Sequence, residues 1–369
     1  MIKKKCQGCG ILLQSTAPDR PGYLPPGKET AKLCQRCFRL RHYGQFKTIA
    51  DDEAALNRML QTVVEKSDLI LLVVDVFDPE GSMPTRLAPL FKLPVFMVVN
   101  KADLLPKHTP WAEMVPWFEN LWARRFPGIE LRGVNVVSAR GRGPDRMARL
   151  AVLKQELAGK NVTVMGAANV GKTSLLTALL ASEDERKADL PLVSRFPGTT
   201  QGTTAWVLRA SRIKLYDTPG LVSGRRMGDL LTPATAGRLL PEKKYQVKLW
   251  DLPSDGAVLG GGLVGVWNMS PTARTLVFFT AEQTTLHRSR GEKAEALLGE
   301  GPDWLRVYRP SERPREEQEN TFTVQAGEDL YISGFGWVAV KNAPACLRLI
   351  APAGVEVGTR PSLIGRRDD

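Results

Sequence analysis

One stretch of this chain has the residue spacing of a loop that binds nucleotide phosphates. Residues 166–173 read GAANVGKT, in which two glycines enclose four residues and are followed by a lysine and a hydroxyl residue. Such glycines let backbone N–H groups converge on phosphates at a helix N-terminus, where the helix dipole also favours negative charge. The lysine is expected to contact the β- and γ-phosphates, and the hydroxyl to bind Mg²⁺. The loop residues predicted to bind the nucleotide are Asn169, Val170, Gly171, Lys172, Thr173 and Ser174.

Two further motifs supply groups for the metal and for the γ-phosphate. Residues 217–220 read DTPG after an apolar run, which places the Asp217 carboxylate beside the metal and the flexible Gly220 N–H near the γ-phosphate. Residues 196–200 read FPGTT and lie between the phosphate loop and that run, where a threonine is expected to reach Mg²⁺. These groups predict a site for a nucleoside triphosphate with Mg²⁺.

Two motifs indicate that the base is guanine. Residues 100–103 read NKAD, and Asp103 can accept hydrogen bonds from the N1–H and 2-amino groups, which adenine does not offer together. Ser138 and Ala139 end another apolar run, where a backbone N–H is expected to meet the guanine 6-oxo group. Taken alone, NKAD is also compatible with a surface turn, because Asn and Asp favour turns. Five motifs at five strand ends favour a guanine nucleotide site, with Asn100, Lys101, Asp103, Ser138 and Ala139 among its residues.

The order of the motifs is that of a circularly permuted domain. An ordinary small GTPase has the phosphate loop first and the NKxD and SA motifs last, whereas here NKAD and SA precede the loop. Folded domains tolerate such permutation when their natural termini lie close together. The segment after Gly220 then leads toward the C-terminal part of the chain, so nucleotide state is expected to pass directly to residues beyond Leu221.

Two residues modify the expected chemistry. Leu221 follows DTPG where many GTPases carry a glutamine that orients the attacking water, so hydrolysis is expected to be slow or to need another group. Asn169 stands where some GTPases of this type use an asparagine to help hold a potassium ion. The alternative for Asn169, a residue that tolerates a strained loop conformation, stays open.

Four cysteines near the N-terminus form two C-x₂-C pairs. Cys6 and Cys9 are separated from Cys34 and Cys37 by a 24-residue gap. Four thiolates suit a closed tetrahedral structural Zn²⁺ site, with two disulfides as the alternative. The following residues 38–44 read FRLRHYG, and basic and aromatic side chains in alternation are expected to bind phosphates and stack on exposed bases. The same aromatic side chains are also compatible with a small core around the zinc.

Strand-like and helical runs alternate across the middle of the chain, as required to place these motifs at strand ends. The runs predicted as strands are Leu69–Asp75, Val95–Val99, Val134–Val137, Asn161–Met165, Thr204–Leu208 and Ile213–Tyr216. The runs predicted as helices are Trp111–Arg125, Asp145–Leu157 and Lys172–Leu180. This alternation predicts a doubly wound α/β domain that binds ligands at the carboxyl ends of its strands.

The pattern changes after about Gly224. Alternating residues at Thr321–Val324 and Tyr331–Val338 predict short antiparallel strands, interrupted by one helical stretch at Thr284–Leu298. The predicted organisation is therefore a zinc-knuckle domain at 1–50, a circularly permuted P-loop GTPase domain at 51–225 and a mainly antiparallel-β interaction domain at 226–369.

Charge is distributed unevenly along the 369 residues. Of the net +12, residues 1–50 carry +8, residues 51–225 carry +4 and residues 226–369 sum to zero. A dense cationic segment predicts a polyanionic partner such as nucleic acid, with a solvated charged tail as the alternative. Hydrophobic and charged contents of 43% and 24% exclude wholesale disorder, and no apolar run approaches the ~20 residues of a membrane-spanning helix. No signal-peptide pattern is recognised, so a cytoplasmic protein is expected.

Together these motifs resemble the YqeH family of bacterial circularly permuted GTPases, which assist assembly of the small ribosomal subunit. The resemblance is carried by CQRCFRLRHYG, NKAD, SA, GAANVGKT, PGTT and DTPGL in permuted order, and by SGFGW at residues 333–337. It implies that Thr200 is a Mg²⁺ ligand beside Thr173 and Asp217, and that an apolar Leu221 is compatible with hydrolysis. The catalytic residues expected on this basis are Lys172, Thr200, Asp217 and Gly220.

The resemblance implies a slowly hydrolysing GTP switch that binds ribosomal RNA or a pre-ribosomal particle. One alternative is a GTPase that serves tRNA modification or membrane-linked signalling, although the sequence contains no modification domain that we recognise. A second alternative is a zinc-stabilised RNA-binding adaptor that binds GTP without significant turnover.

Overall fold

A computed structural model describes most of the chain from residue 53 onward and short pieces before it. The described residues are 13–16, 23–28, 31, 34, 53–106, 109, 111–140, 144–182, 204–242, 244–309, 312, 314 and 316–364. No helix among them is long and apolar enough to cross a membrane.

A six-stranded mixed sheet carries the nucleotide motifs. Its strands are β1 (Leu69–Asp75), β2 (Val95–Asn100), β3 (Leu131–Val136), β4 (Asn161–Met165), β5 (Thr204–Leu208) and β6 (Ile213–Asp217). The spatial order is β3-β2-β1-β4-β6-β5, and all neighbours except β5 and β6 pair in parallel. The predicted P-loop GTPase sheet is confirmed, since each predicted run forms a strand.

The edge strand β5 differs from a uniformly parallel doubly wound sheet. It pairs antiparallel with β6, with Thr204 opposite Asp217 and Leu208 opposite Ile213. Only four residues connect the two strands, and Arg212 in that turn adopts a left-handed φ of 51°. A connection this short makes a hairpin, because a parallel crossover needs about a dozen residues or more.

Helices cover both faces of this sheet. They are α1 (Glu53–Val64), the short α2 (Pro79–Ser82), α3 (Trp111–Arg125), α4 (Pro144–Leu157) and α5 (Lys172–Ala181). Alternate residues of β1 enter two cores: Ile70 packs in a cluster with Phe118 of α3, and Leu71 packs in a cluster with Leu150 and Leu175 of α4 and α5. Burial on both faces is the physical reason that β1 is continuously apolar. Helix α1 was not predicted from the sequence.

Two five-stranded antiparallel sheets follow after a short helix, α6 (Pro233–Arg238). Their strands are numbered along the chain. The first sheet, called the junction sheet, has the spatial order β16-β13-β14-β10-β7. The second, called the outer sheet, has the order β11-β8-β9-β15-β12. These strands are β7 (Tyr245–Leu252), β8 (Gly256–Gly260), β9 (Val264–Asn268), β10 (Arg274–Ala281), β11 (Leu286–Arg290), β12 (Glu317–Val324), β13 (Glu328–Ile332), β14 (Gly336–Val340), β15 (Ala345–Pro352) and β16 (Val357–Pro361). The prediction of a mainly antiparallel C-terminal region is confirmed.

The predicted helix at Thr284–Leu298 is wrong in its first half. Leu286–Arg290 forms β11, which pairs antiparallel with β8, and the helix α7 covers only Gly291–Glu300. Gly291 adopts a left-handed φ of 53° at the junction, which changes the chain direction between strand and helix. Pairing with β8 outweighed the local helical pattern of these residues.

The junction sheet packs directly against the nucleotide sheet. Phe77, which follows β1, lies 5.2 Å from Tyr245 and 5.9 Å from Trp337 between ring centroids, and Trp337 stacks on Phe279 at 4.8 Å. All four rings belong to the same hydrophobic cluster as the core under α3. The predicted domain limits stay predictions. At the limit between residues 225 and 226, the Arg225 carbonyl oxygen accepts a hydrogen bond from the N–H of Glu356 in the C-terminal region at 2.8 Å.

Candidate nucleotide-binding site

The phosphate loop lies between the end of β4 and the start of α5. Gly166, Asn169 and Gly171 have positive φ angles of 155°, 65° and 91°. A Cβ atom on Gly166 would lie 2.5 Å from the Val73 carbonyl oxygen, and one on Gly171 would lie 2.4 Å from Asn100 Nδ2. Both positions therefore require glycine, whereas the left-handed conformation at 169 is one that asparagine tolerates better than most residues.

A buried lysine, Lys172, and a half-buried aspartate, Asp217, lie beside this loop and influence each other electrostatically. Lys172 Nζ donates to the carbonyl oxygens of Gly166 at 2.8 Å and Ala167 at 3.2 Å. Burial lowers the pKa of the Lys172 ammonium to about 8, with Asp217 opposing that shift. Burial raises the pKa of the Asp217 carboxyl to about 6, with Lys172 opposing. Burial thus disfavours the charged form of both groups, as is common at sites that bind charged ligands.

The residues at this point fit a Mg²⁺ ion. Asp217 Oδ1 is buried and has no hydrogen-bond partner among the residues that the structure describes. A carboxylate oxygen in that state, together with the hydroxyl of Thr173 at the start of α5, offers the hard oxygen donors that Mg²⁺ prefers. Thr200, the third predicted ligand, lies outside the described residues together with the rest of the FPGTT motif.

Asn100 joins the base-recognition motifs to the phosphate loop. Its side-chain Nδ2 donates to the Val170 carbonyl oxygen at 2.9 Å, and its Oδ1 accepts from the Ala139 N–H at 3.1 Å. Asn100 is only 1% exposed. The Ala139 N–H, assigned from the sequence to the guanine 6-oxo group, thus has Asn100 as its partner in this structure.

Asp103 and Lys101 are oriented by neighbours on adjacent strands. The Ser138 hydroxyl donates to Asp103 Oδ1, which leaves the exposed Asp103 carboxylate close to the SA motif. Lys101 adopts a left-handed φ of 67° and its Nζ pairs with the buried Asp75 at 2.5 Å. The structure therefore brings NKAD, SA and the phosphate loop to one edge of the sheet, as the positions of the motifs at strand ends predicted.

The DTPGL segment pairs with the phosphate loop through a single parallel β-bridge. Ala167 pairs with Leu221, the Leu221 N–H donates to the Gly166 carbonyl at 3.2 Å, and the Ala168 N–H donates to the Leu221 carbonyl at 2.9 Å. Leu221 is 2% exposed, so its apolar side chain completes the core rather than facing the site. A Cβ on Gly220 would lie 3.0 Å from Ala168 Cα, which explains a glycine there.

Most of the predicted zinc site lies outside the described residues. Cys6, Cys9 and Cys37 are among the residues not described, and Cys34 is described as buried. Within the described ranges, no group of three or more His, Cys, Asp or Glu side chains is arranged to hold a metal ion. With one of its four ligands described, the zinc site stays a prediction.

Three residues that the sequence analysis missed connect the loop to the C-terminal sheets. Arg226 Nη1 donates to the Ala168 carbonyl at 2.7 Å, and Arg226 Nε donates to Asp78 Oδ2 at 2.6 Å. Ser333, in the SGFGW turn, donates to Asp78 Oδ1 at 3.0 Å. These partners are 58 to 255 residues apart along the chain, so no local pattern signals them.

Comparison with known proteins identifies the family. Residues 161–237 match the family described as 50S ribosome-binding GTPase, and residues 273–363 match the family described as YqeH-like, C-terminal. The protein YqeH of Bacillus subtilis is 30% identical over 373 residues, which cover 99% of this chain and 100% of that protein. The chain belongs to the YqeH family of GTPases. It binds GTP and GDP and hydrolyses GTP, and a GTPase domain of this kind uses Mg²⁺.

More distant relatives are also GTP-binding proteins. The chloroplastic GTP-binding protein Brassinazole Insensitive Pale Green 2 of Arabidopsis thaliana is 30% identical over 376 residues, covering 90% of this chain and 56% of that protein. The nuclear GTP-binding protein NUG1 of Saccharomyces cerevisiae is 27% identical over 187 residues, covering 45% and 34%. The match of residues 161–237 to a GTPase family, rather than these names, sets aside the alternative of an adaptor without turnover.

Proposed function

We propose that this GTPase is a switch that assists assembly of the small ribosomal subunit and binds ribosomal RNA or a pre-ribosomal particle in the cytoplasm. The observation that carries the switch role is the path of the segment after Gly220, whereas the ribosomal partner is proposed from membership of the YqeH family and from the family matched by residues 161–237, described as 50S ribosome-binding GTPase. Leu221 is hydrogen bonded to the phosphate loop, and a few residues later Arg225 and Met227 are bonded to Glu356 and Ser333 of the C-terminal region. A segment held at both ends in this way is suited to carry nucleotide state to a partner surface.

The proposed site assigns a role to each predicted residue. Lys172 neutralises the phosphates, Thr173, Thr200 and Asp217 hold Mg²⁺, and the Gly220 N–H meets the γ-phosphate. The guanine edge is read by Asp103, which Ser138 orients. The remaining proposed contacts to the nucleotide are made by Asn100, Lys101, Ala139, Asn169, Val170, Gly171 and Ser174. The buried, unpartnered Asp217 Oδ1 and the buried Lys172 support this assignment most directly.

Two further ions belong to the proposal. Cys6, Cys9, Cys34 and Cys37 hold one structural Zn²⁺, since two C-x₂-C pairs supply four soft thiolates. Asn169, whose side chain is exposed in the phosphate loop, helps to seat K⁺ near the phosphates.

Sedimentation with purified ribosomal subunits tests the proposed partner. The protein should co-sediment with small subunits, more strongly with a non-hydrolysable GTP analogue than with GDP. Co-sedimentation with large subunits alone would contradict the small-subunit assignment and would agree with the description of the family matched by residues 161–237. Absence of binding to either subunit and to ribosomal RNA would contradict the proposal as a whole.

Deletion of residues 1–47 tests whether the basic segment binds RNA. Binding that neutralises several phosphates weakens with salt by a logarithmic slope of about −0.7 per contact on single strands. The deletion should flatten that slope and leave GTP affinity nearly unchanged, because the nucleotide motifs begin at Asn100. The double variant Arg39→Glu, Arg41→Glu should flatten it less. An undiminished slope would assign RNA binding to the C-terminal region instead.

A further inference from the structure

Arg226 lies at the point where the segment after DTPGL meets the C-terminal sheets. A turn before it is closed by Asp229 Oδ2, which accepts from the Ser223 hydroxyl at 2.9 Å and the Gly224 N–H at 3.0 Å. On either side of Arg226, the Arg225 carbonyl accepts from the Glu356 N–H and the Met227 N–H donates to the Ser333 carbonyl, both at 2.8 Å. The backbone at 226 is thus fixed by residues of the C-terminal region.

The Arg226 side chain turns back from this position to the phosphate loop. The side chain is 6% exposed, and its Nε and Nη1 donate to Asp78 Oδ2 and to the Ala168 carbonyl oxygen. Asp78 is itself held, because its Oδ1 accepts from the Ser333 hydroxyl at 3.0 Å and from the Gly81 N–H at 3.2 Å. The guanidinium is therefore placed by a carboxylate after β1 and, through it, by the SGFGW turn between β13 and β14.

The bond to the Ala168 carbonyl fixes the orientation of one peptide of the phosphate loop. A trans peptide is planar, so its C=O and N–H point in opposite directions. Holding the Ala168 carbonyl toward Arg226 turns the Asn169 N–H the other way. Asn169 has a left-handed φ of 65°, a conformation that a non-glycine residue keeps only where its surroundings hold it.

The direction of that N–H matters for hydrolysis. Consecutive N–H groups of a phosphate loop form the concave donor array that binds phosphate oxygens. A donor aimed at oxygens on which charge develops contributes more in the transition state than in the ground state, so its loss lowers kcat more than it weakens substrate binding.

We infer that Arg226 is a positioning residue for GTP hydrolysis: it holds the Ala168–Asn169 peptide so that the Asn169 N–H faces the phosphates, and Asp78 and Ser333 place it. The inference rests on the proposed phosphate loop and is independent of the ribosomal partner. It connects the C-terminal sheets to the reaction through side chains rather than through the switch backbone alone.

The variant Arg226→Gln tests this role against the matched control Arg125→Gln. Arg125 also joins the two parts of the molecule, because its Nη1 pairs with Glu356 at 2.8 Å and its Nε donates to the Met83 carbonyl at 3.1 Å. Among its described partners none belongs to the phosphate loop. Loss of one transition-state donor lowers kcat by about 10²–10³, so releasing this peptide without removing its N–H should lower kcat on the order of tenfold. The KM for GTP should change less than about threefold, and Arg125→Gln should stay within about twofold of the parent in both constants.

A second pair of variants, Ser333→Ala and its control Ser362→Ala, keeps the inference testable if Arg226→Gln fails to fold. Ser333 and Ser362 are each 1% exposed, and each donates a hydroxyl hydrogen bond to a buried carboxylate, Asp78 and Asp329. Ser333→Ala should lower kcat about threefold by loosening Asp78 and Arg226, whereas Ser362→Ala should leave it unchanged. Both variants should lose a similar amount of thermal stability, so stability alone cannot produce the difference.

Several results would overturn the inference. Equal losses of kcat in the Arg226 and Arg125 variants would show that hydrolysis depends only on the packing between the nucleotide sheet and the junction sheet. A raised KM with unchanged kcat would show that Arg226 supports GTP binding in the ground state and the transition state equally. Lys172→Ala separates the inference from the site on which it rests. If that variant loses GTP affinity while Arg226→Gln turns over like the parent, the phosphate loop is right and the positioning role is wrong. If Lys172→Ala binds GTP like the parent, the phosphate-loop assignment fails and the inference fails with it.

Discussion

Replacing Asn100 with alanine would leave two buried backbone groups without partners. The Val170 carbonyl would lose its bond from Asn100 Nδ2 at 2.9 Å, and the Ala139 N–H would lose its bond to Asn100 Oδ1 at 3.1 Å. Because the side chain is 1% exposed, water cannot easily replace either bond. An unsatisfied buried polar group costs about 1–3 kcal/mol, so two of them predict a loss of about 2–6 kcal/mol.

Asn135 supplies a matched control in the same sheet. It is 7% exposed, and its Nδ2 donates to the Arg149 carbonyl of α4 at 3.1 Å, a bond that reaches none of the nucleotide motifs. Asn135→Ala should therefore cost about 1–3 kcal/mol. Urea unfolding at constant ionic strength would measure both losses, and calorimetric titration with GTP would measure binding.

The two variants should differ more in GTP binding than in stability. In Asn100→Ala the phosphate loop is no longer connected to the NKAD and SA motifs, so we expect GTP affinity to fall at least tenfold, whereas Asn135→Ala should bind like the parent. If both variants lose the same stability and Asn100→Ala keeps parental GTP affinity, Asn100 is a structural residue and the proposed connection between the motifs is wrong.

Four further predictions follow from the site. Asp103→Asn should weaken GTP binding on the order of 10²–10⁴-fold and improve binding of xanthosine nucleotides, and parental GTP affinity would refute the NKAD assignment. Since the pKa of the Asp217 carboxyl is about 6 without ligand, protonation should compete with Mg²⁺ as the pH falls below neutrality; the Mg²⁺ concentration needed for half-maximal hydrolysis should rise, and a constant value would argue against Asp217 as a ligand. Metal analysis of protein purified without added zinc should find one Zn²⁺ per chain, and four titratable thiols in place of zinc would remove that site. Hydrolysis should be faster in K⁺ than in Na⁺ at equal ionic strength, whereas equal rates would favour the structural interpretation of Asn169.

The sequence by itself determined the elements of the nucleotide sheet and the order of the motifs on it. Residues 69–74 are readable as a strand because a strand covered on both faces must be apolar along its length, and Asp75 ends the run. Gly166 and Gly171 could be predicted as loop residues from the sequence. The close approach of Val73 and Asn100 excludes a Cβ at either position, and this requirement for glycine appears as a fixed spacing within eight residues. Such features depend on the local backbone, so a short window contains them.

Tertiary structure decided which group each polar residue meets. The Ala139 N–H has Asn100 as its partner, and Arg226 reaches Ala168 and Asp78, residues 58 and 148 positions away. Leu286–Arg290 became a strand because β8 was available to pair with it, although its local pattern is helical. Hydrogen bonds between distant segments form only after the sheets pack, and a side chain's partner is then the nearest unsatisfied group in space rather than a neighbour in sequence.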